Sequence, residues 1–316
     1  MNKIKIAFCD FPGLFNPTKI QSLLRQRFDI EVTNEDPDYV IYSIFGHEFI
    51  KYENAVRIFF VGENVRPDFN LCDYAFTYDW LTFGDRHFRA PNFVLYDQYL
   101  DICARQYSQI ESIQAKSKFC NFIYTNNQGH PIRDLLFWKL SEYKQVDAAG
   151  AHLNNIPQIG LAYTGDWSAD KIEFQKHYKF TIACENSSSP GYTTEKLIHA
   201  LCADTIPIYW GDPEVGQVFN TDRFIDLNSL SLAEAVHRVR EIDSNDALFM
   251  EIVSRPFFKD KVTPYALSHQ AILAKFEQIF SQPKASAFRR NFYFWGKKYE
   301  HRRREEIRAH EIVNKD

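Results

Sequence analysis

The chain has 316 residues, 45% of them hydrophobic and 25% charged, with a formal net charge of −4. That length suits two domains of roughly 100–150 residues better than one, and the apolar fraction excludes disorder for the bulk of the chain. A mildly acidic balance excludes a body built to bind nucleic acid, and the six cysteines contain no C-x-x-C pair and read as buried free thiols of a reducing compartment.

In chain order, short apolar strands are expected at Ile4–Cys9, Ile30–Thr33, Tyr39–Phe45, Arg57–Val61 and Tyr74–Tyr78, with a helix near Thr18–Phe28 between the first two. The opening run Ile4–Phe8 is too short and too interrupted by charge for a signal peptide or membrane span. Strand and helix alternation favours a layered α/β sheet. After the polar stretch Gln106–Lys118 the pattern restarts with a strand at Phe119–Tyr124, a helix over Pro131–Tyr143 and another over Ala169–Tyr178. It continues with strand Phe180–Cys184, helix Thr193–Cys202 and strands Ile206–Trp210 and Arg223–Leu227, then helices at Leu232–Ile242, Ala247–Val253 and Ala271–Phe280. The restart sets the domain boundary, giving an N-terminal domain over 1–112, a second over 113–283 and a basic tail over 284–316.

Four stretches are polar enough to carry chemistry. Glu185 to Lys196 lies between a strand and a helix; Pro190-Gly191 makes a turn, Thr193 or Thr194 caps the helix, and the free N–H groups of its first turn suit an anion that Lys196 would further stabilise. A plain N-capped helix with a surface Glu-Lys pair fits this stretch equally. Thr205 to Pro213 reads as a buried strand ending in a tight turn. In His130-Pro131-Ile132-Arg133, proline suits the helix start and arginine can fork onto a phosphate, though a solvated charge is the plainer reading. The strand Arg57–Val61 delivers Glu63 at its carboxyl end, where it is either a general base or a turn residue in water.

The run Phe180-Thr181-Ile182-Ala183-Cys184-Glu185-Asn186, with Tyr192, Thr194-Glu195-Lys196-Leu197 and Ile206-Pro207-Ile208-Tyr209-Trp210-Gly211, closely resembles the donor motif of the alpha-1,3-fucosyltransferases. Gly62-Glu63-Asn64 and Pro131-Ile132-Arg133 match that family in the right order, so the resemblance spans most of Arg57 to Pro213. It implies a GT-B fold, two Rossmann-like domains facing across a cleft, the first binding the acceptor and the second GDP-fucose. It also implies an inverting enzyme with a glycan containing N-acetylglucosamine as acceptor. Carried over by position, Glu63 resembles the family's general base, Arg133 and Lys196 its diphosphate ligands, and Asn186, Tyr192 and Glu195 its contacts to nucleotide, ribose or fucose. Cys184 departs from the phenylalanine common there, and the stem and anchor of animal members have no counterpart, which points to a bacterial cytoplasm. No Asp-x-Asp sits where a metal-bound nucleotide needs one, so no obligatory metal or other cofactor is expected. Two other readings are a GT-B transferase for another nucleotide sugar and a non-catalytic glycan-binding protein.

In the tail, Phe288, Phe292, Trp295 and Tyr299 recur at the spacing of one helical face among eight Lys/Arg and one Glu between Lys284 and Arg304. One continuous helix is expected. It either packs its aromatic stripe on the protein body or lies, through residues 284–304, against an anionic membrane on the inner face of the cytoplasmic membrane.

Overall fold

The computed structural model describes residues 3–13, 15–159, 167–290 and 294–313. By packing, the chain divides into two compact units, Met1–Leu95 with Tyr265–Asp316, and Tyr96–Pro264.

The first unit holds six strands: β1 Ile4–Cys9, β2 Ile30–Val32, β3 Tyr39–Tyr42, β4 Val56–Phe60, β5 Tyr74–Thr77 and β6 His87–Arg89. They lie in the order β2-β1-β3-β4-β5-β6 with every pairing parallel. Sheets of this kind are covered on both faces, which is why β3, β4 and β5 are buried at every residue rather than alternating. β6 has only three residues, too few to show a period in the sequence.

The later helix His269–Phe280 belongs to this unit because its aromatic face packs there. Phe276 stacks on Phe76 with ring centres 4.3 Å apart, and Phe280 meets Tyr39 and Phe28 edge-on at 4.6 and 5.1 Å. The sequence places that helix in the second domain; ring stacking between residues 200 positions apart leaves no local trace.

The second unit holds β7 Lys118–Phe122, β8 Val146–Ala148, β9 Tyr178–Cys184, β10 Ile206–Trp210 and β11 Ile225–Asp226. Their order is β11-β10-β9-β7-β8, again all parallel. β9 is central, paired to β10 from Phe180↔Ile206 to Cys184↔Trp210. Its core gathers Phe122, Leu136, Phe180, Ile182, Ile206, Ile208, Val239 and Ile252. Helix Asp97–Arg105 ends just before the polar stretch Gln106–Lys118, and helix Ile110–Gln114 occupies part of it.

The tail corrects the single-helix expectation. A short helix Lys284–Ala287 ends at Phe288, whose backbone is extended (φ −79°, ψ 106°), and a new helix runs Phe294–Val313. Phe292 lies outside the described residues, and the expected stripe is broken at Phe288. Arg290, 2% exposed, pairs with Asp73 and donates to the Ala55 and Glu53 carbonyls at 3.0 and 2.8 Å. Glu300, 3% exposed, pairs with Arg57 at 2.9 Å and Arg304 at 2.6 Å. The Tyr299 hydroxyl donates to Asp68 at 2.7 Å. Three residues of the basic segment are thus structural partners within the first unit, and Phe294 and Trp295 remain exposed.

Candidate active site

Strand β9 is buried from Phe180 to its last residue and then delivers Glu185, which is fully buried. A carboxylate there must be satisfied locally, and one residue does most of it. Thr194 donates its N–H to Oε1 at 2.8 Å and its hydroxyl to Oε2 at 2.7 Å. The Lys196 ammonium reaches Oε2 at 3.2 Å and the Thr194 hydroxyl at 3.3 Å. Thr194 is also the N-cap of helix Glu195–Cys202, accepting from the Lys196 N–H. Strand end and helix start are thereby locked together, with the first turn's N–H groups and a lysine at one edge of the sheet. Burial pushes the Glu185 carboxyl above the usual carboxylate range against the pull of Lys196.

The turn between them is held by Asp212, which accepts from the Gly191 and Glu214 N–H groups at 2.8 Å each and from the Thr193 hydroxyl at 3.0 Å. Gly211 carries φ +152°, and a Cβ on it would lie 2.4 Å from Glu185 Cγ, so only glycine lets β10 turn this close to the buried carboxylate. Tyr192 is buried and Asn186 half-buried on the same loop.

Arg133 arrives from helix Ile132–Ser141, capped by Pro131. Its guanidinium is 1% exposed, lies over the Tyr124 ring at 4.4 Å, and donates to the Asn126 carbonyl at 3.0 Å and Asp134 at 3.2 Å. Nη1 is buried with no hydrogen-bond partner. A Cβ at Gly129 would come 2.4 Å from that nitrogen. The arginine is joined to the β9 loop through Tyr124, whose hydroxyl donates to the Cys184 carbonyl at 3.1 Å and accepts from its N–H at 2.8 Å. A second tie runs from the His130 N–H to the Asn186 carbonyl at 3.0 Å, beside a His130–Trp210 ring stack at 4.2 Å.

Glu195, first residue of its helix, lies 3.7 Å from the Lys196 ammonium. Burial alone would raise its carboxyl, but the Lys196 and Lys171 ammoniums outweigh it and bring it down to about 2. The expected residues Arg133, Asn186, Tyr192, Glu195 and Lys196 therefore share one unit and one edge of its sheet. Glu63 belongs to the other unit, half-buried three residues past the end of β4. There the Tyr78 hydroxyl donates to Asn64 at 2.5 Å and Arg66 pairs with Asp79 at 2.5 Å, fixing the loop that carries it. Among the described residues no cluster of three or more His, Cys, Asp or Glu is placed to hold a metal ion.

Glu185 is not among the residues expected from the sequence to bind or react, and Asp212 lies in a turn that reads as structural; the local signal for Glu185 is a carboxylate directly after the buried run Phe180–Cys184.

Two all-parallel α/β sheets, the second with Arg133, Lys196 and a capped helix N-terminus in the same unit, define a chain of the GT-B class of glycosyltransferase folds. Residues 6–96 match the alpha-(1,3)-fucosyltransferase FucT N-terminal domain, and residues 113–266 match the glycosyltransferase family 10 (fucosyltransferase) C-terminal region. The chain belongs to that fucosyltransferase family. It is 28% identical over 295 residues to the alpha-(1,3)-fucosyltransferase FucT of Helicobacter pylori, covering 79% of this chain and 59% of that relative. A putative fucosyltransferase of Acanthamoeba polyphaga mimivirus is 29% identical over 67% of this chain and 35% of its own length. The chain thus spans less than two thirds of these relatives. A crystal structure of an alpha1,3-fucosyltransferase with GDP superposes with a TM-score of 0.71 at 26% identity, covering 89% of this chain and 91% of that one. The same comparison with a GDP-fucose complex gives 0.70 at 25% identity.

Proposed function

We propose that this chain transfers L-fucose from GDP-fucose, with inversion, to the 3-hydroxyl of N-acetylglucosamine in a glycan acceptor. The observation that carries the reading is the donor edge of the second unit. Arg133 holds a buried guanidinium nitrogen open, and Lys196 stands at a capped helix N-terminus. Such a site suits a diphosphate, and its relatives include a protein solved with GDP-fucose.

In the proposed reaction the acceptor oxygen attacks the anomeric carbon as its bond to the β-phosphate oxygen breaks. Positive charge develops on the sugar and negative charge on the departing GDP. Arg133, Lys196 and the helix N–H groups stabilise the latter without a metal ion. Glu63 takes the acceptor's hydroxyl proton, so the new bond forms on the face opposite GDP. General-base action is worth roughly 10²–10⁴-fold. Glu195 and Asn186 orient the sugar and ribose hydroxyls, and Tyr192 packs beside them.

The test is calorimetric titration with GDP-fucose, UDP-sugars and ADP-sugars, followed by linkage analysis of the product formed on type 1 and type 2 disaccharides. Selective GDP-fucose binding and a Glu63→Gln variant that binds the donor normally but loses at least about 100-fold in kcat are expected. Preference for another nucleotide sugar would overturn the donor, and a variant retaining more than about a tenth of wild-type kcat would remove Glu63 from its role.

We further infer action in the cytoplasm, supported by six cysteines that form no disulfide, with peripheral contact to anionic membrane. Exposed Phe294, Trp295, Lys297 and Lys298 support that contact. No helix among the described residues is long and apolar enough to cross a membrane. Sedimentation with phosphatidylglycerol vesicles that fails in a Lys297→Glu, Lys298→Glu double variant is the expected result; equal sedimentation of both proteins would rule it out.

A further inference from the structure

Strands β4 and β5 of the first unit end side by side, paired in parallel as far as Phe60↔Phe76, and the loops that follow them are bonded to each other. The Tyr78 hydroxyl donates to Asn64 and the Arg66 guanidinium to Asp79, each at 2.5 Å. The loop after β4 carries Glu63, and the loop after β5 carries Trp80. Trp80 is 37% exposed, and Val65, Leu81 and Phe83 of the same two loops are exposed with it.

A single exposed ring is ordinary, but this one is held in place. Buried Asp79 accepts the Leu81 N–H at 3.0 Å and donates its own N–H to the Thr77 hydroxyl at 3.2 Å, so the backbone is pinned on both sides of Trp80. The Arg89 guanidinium, from β6, lies over the ring 3.8 Å from its centre and backs one face. Phe83 instead packs within the unit, 4.5 Å from the Phe69 ring and 5.3 Å from the Arg86 guanidinium. Trp80 is thus a fixed aromatic surface at the carboxyl edge of a parallel sheet, where such sheets bind ligands, in an exposed apolar patch of the kind that marks a binding groove.

A sugar ring carries hydroxyls around its rim and C–H bonds on its faces. In β-galactose the axial hydroxyl leaves the ring hydrogens on the opposite side as one apolar face, and their weak positive charge suits the negative face of an aromatic ring. A ring already immobilised loses little freedom when the sugar docks. Neighbouring strands lie about 4.8 Å apart, comparable to the length of one hexose, so the loops after β4 and β5 suit successive units of one glycan.

We propose that Trp80 is a specificity-determining residue of the acceptor site, whose open face stacks on the C–H face of the galactosyl unit next to the N-acetylglucosamine that Glu63 deprotonates. The inference rests on the acceptor reading above and adds to it the residue that reads the second sugar. A disaccharide then binds better than its reacting monosaccharide because of one ring, while the donor, which this loop does not hold, is unaffected.

The experiment measures KM and kcat for the type 2 disaccharide and for free N-acetylglucosamine, with the Kd of GDP-fucose and thermal unfolding, in wild type, Trp80→Ala and Trp80→Phe. Trp80→Ala is expected to raise KM for the disaccharide about tenfold, the weight of one aromatic contact, and KM for the monosaccharide less than about twofold. Its kcat changes less, and its Kd for GDP-fucose matches wild type. Trp80→Phe keeps a ring and restores most of the low disaccharide KM, whereas a general loss of loop structure would move both acceptors together. Saturation transfer from aromatic protons should reach the galactosyl ring hydrogens in wild type and fall away in Trp80→Ala. Should the alanine variant not fold, Trp80→Leu, which keeps bulk without a ring, takes its place. A disaccharide KM unchanged by loss of the ring, or raised equally with that of the monosaccharide, overturns the assignment; wild type that binds GDP-fucose but fucosylates neither acceptor overturns the acceptor reading instead.

Discussion

The two units give their buried arginines different ion partners. In the first, Arg57, Asp73, Arg290 and Glu300 are each at most 3% exposed and are paired with one another: Asp73 with Arg290, Glu300 with Arg57. Asp73 also accepts the Arg57, Arg289 and Arg290 N–H groups at 2.6–2.7 Å. Each charge of this set has a counter-charge, though Arg57, Arg290 and Arg304 each keep a buried Nε without a hydrogen-bond partner, and the set fastens the C-terminal segment to the sheet. In the second unit Arg133 has a partly exposed ion partner, Asp134, and its Nη1 lacks a hydrogen-bond partner among the described residues. Buried charges paired with each other hold a fold, whereas a buried cation near the carboxyl edge of an α/β sheet lies where such sheets bind ligands.

Removing a member of the paired set should have the largest effect on stability. Glu300→Ala leaves Arg57 without its carboxylate and Arg304 with Glu53 alone, and loss of one partner of a buried pair costs about 3–5 kcal/mol. Urea unfolding should show that loss while the folded variant binds GDP-fucose as before; a change below about 1 kcal/mol would mean that the tail's ion pairs hold nothing.

At the donor edge the larger loss is expected in turnover. Arg133→Ala removes a buried side chain stacked on Tyr124 and should lower Tm, but its distinguishing effect is a cut in kcat/KM of about 10²–10³-fold, or 2.7–4 kcal/mol on the usual scale for a donor aimed at developing charge. Equal losses of stability and turnover would place Arg133 with the structural pairs. A smaller perturbation of the same nitrogen is Gly129→Ala, whose Cβ would sit 2.4 Å from Nη1. Displacing the guanidinium tip should weaken donor affinity roughly five- to tenfold, about 1 kcal/mol, which calorimetry resolves.

The smallest effect concerns Lys116, a buried lysine that donates to the Lys176 and Ala203 carbonyls at 2.8 and 2.9 Å. Burial lowers Lys116 to about 7, below the value of an unfolded-chain lysine. The unfolded state therefore binds the extra proton between pH about 7 and about 10, and wild-type stability rises relative to Lys116→Met across that window. Thermal unfolding of the pair at several pH values reads the slope; a difference independent of pH would show that Lys116 titrates normally. Donor affinity should not follow this slope.

Much of the site was legible along the chain. The apolar run ending at Cys184, the turn Pro190-Gly191, the capping threonine and Lys196 are consecutive, and local chemistry alone assigns strand, turn and helix start. Arg133 behind Pro131 was legible for the same reason. Tertiary structure decided whatever depends on residues far apart in sequence. Glu185 is a hub only because Thr194 and Lys196 fold back on it. The tail shows the limit most clearly: its aromatic spacing suggests one amphipathic helix, but Asp73 and Arg57, over 200 residues earlier, capture Arg290 and Glu300 and set where the chain is held. Periodicity reports what one segment prefers by itself, whereas the cost of burying a charge is met by whichever partner the fold brings within reach.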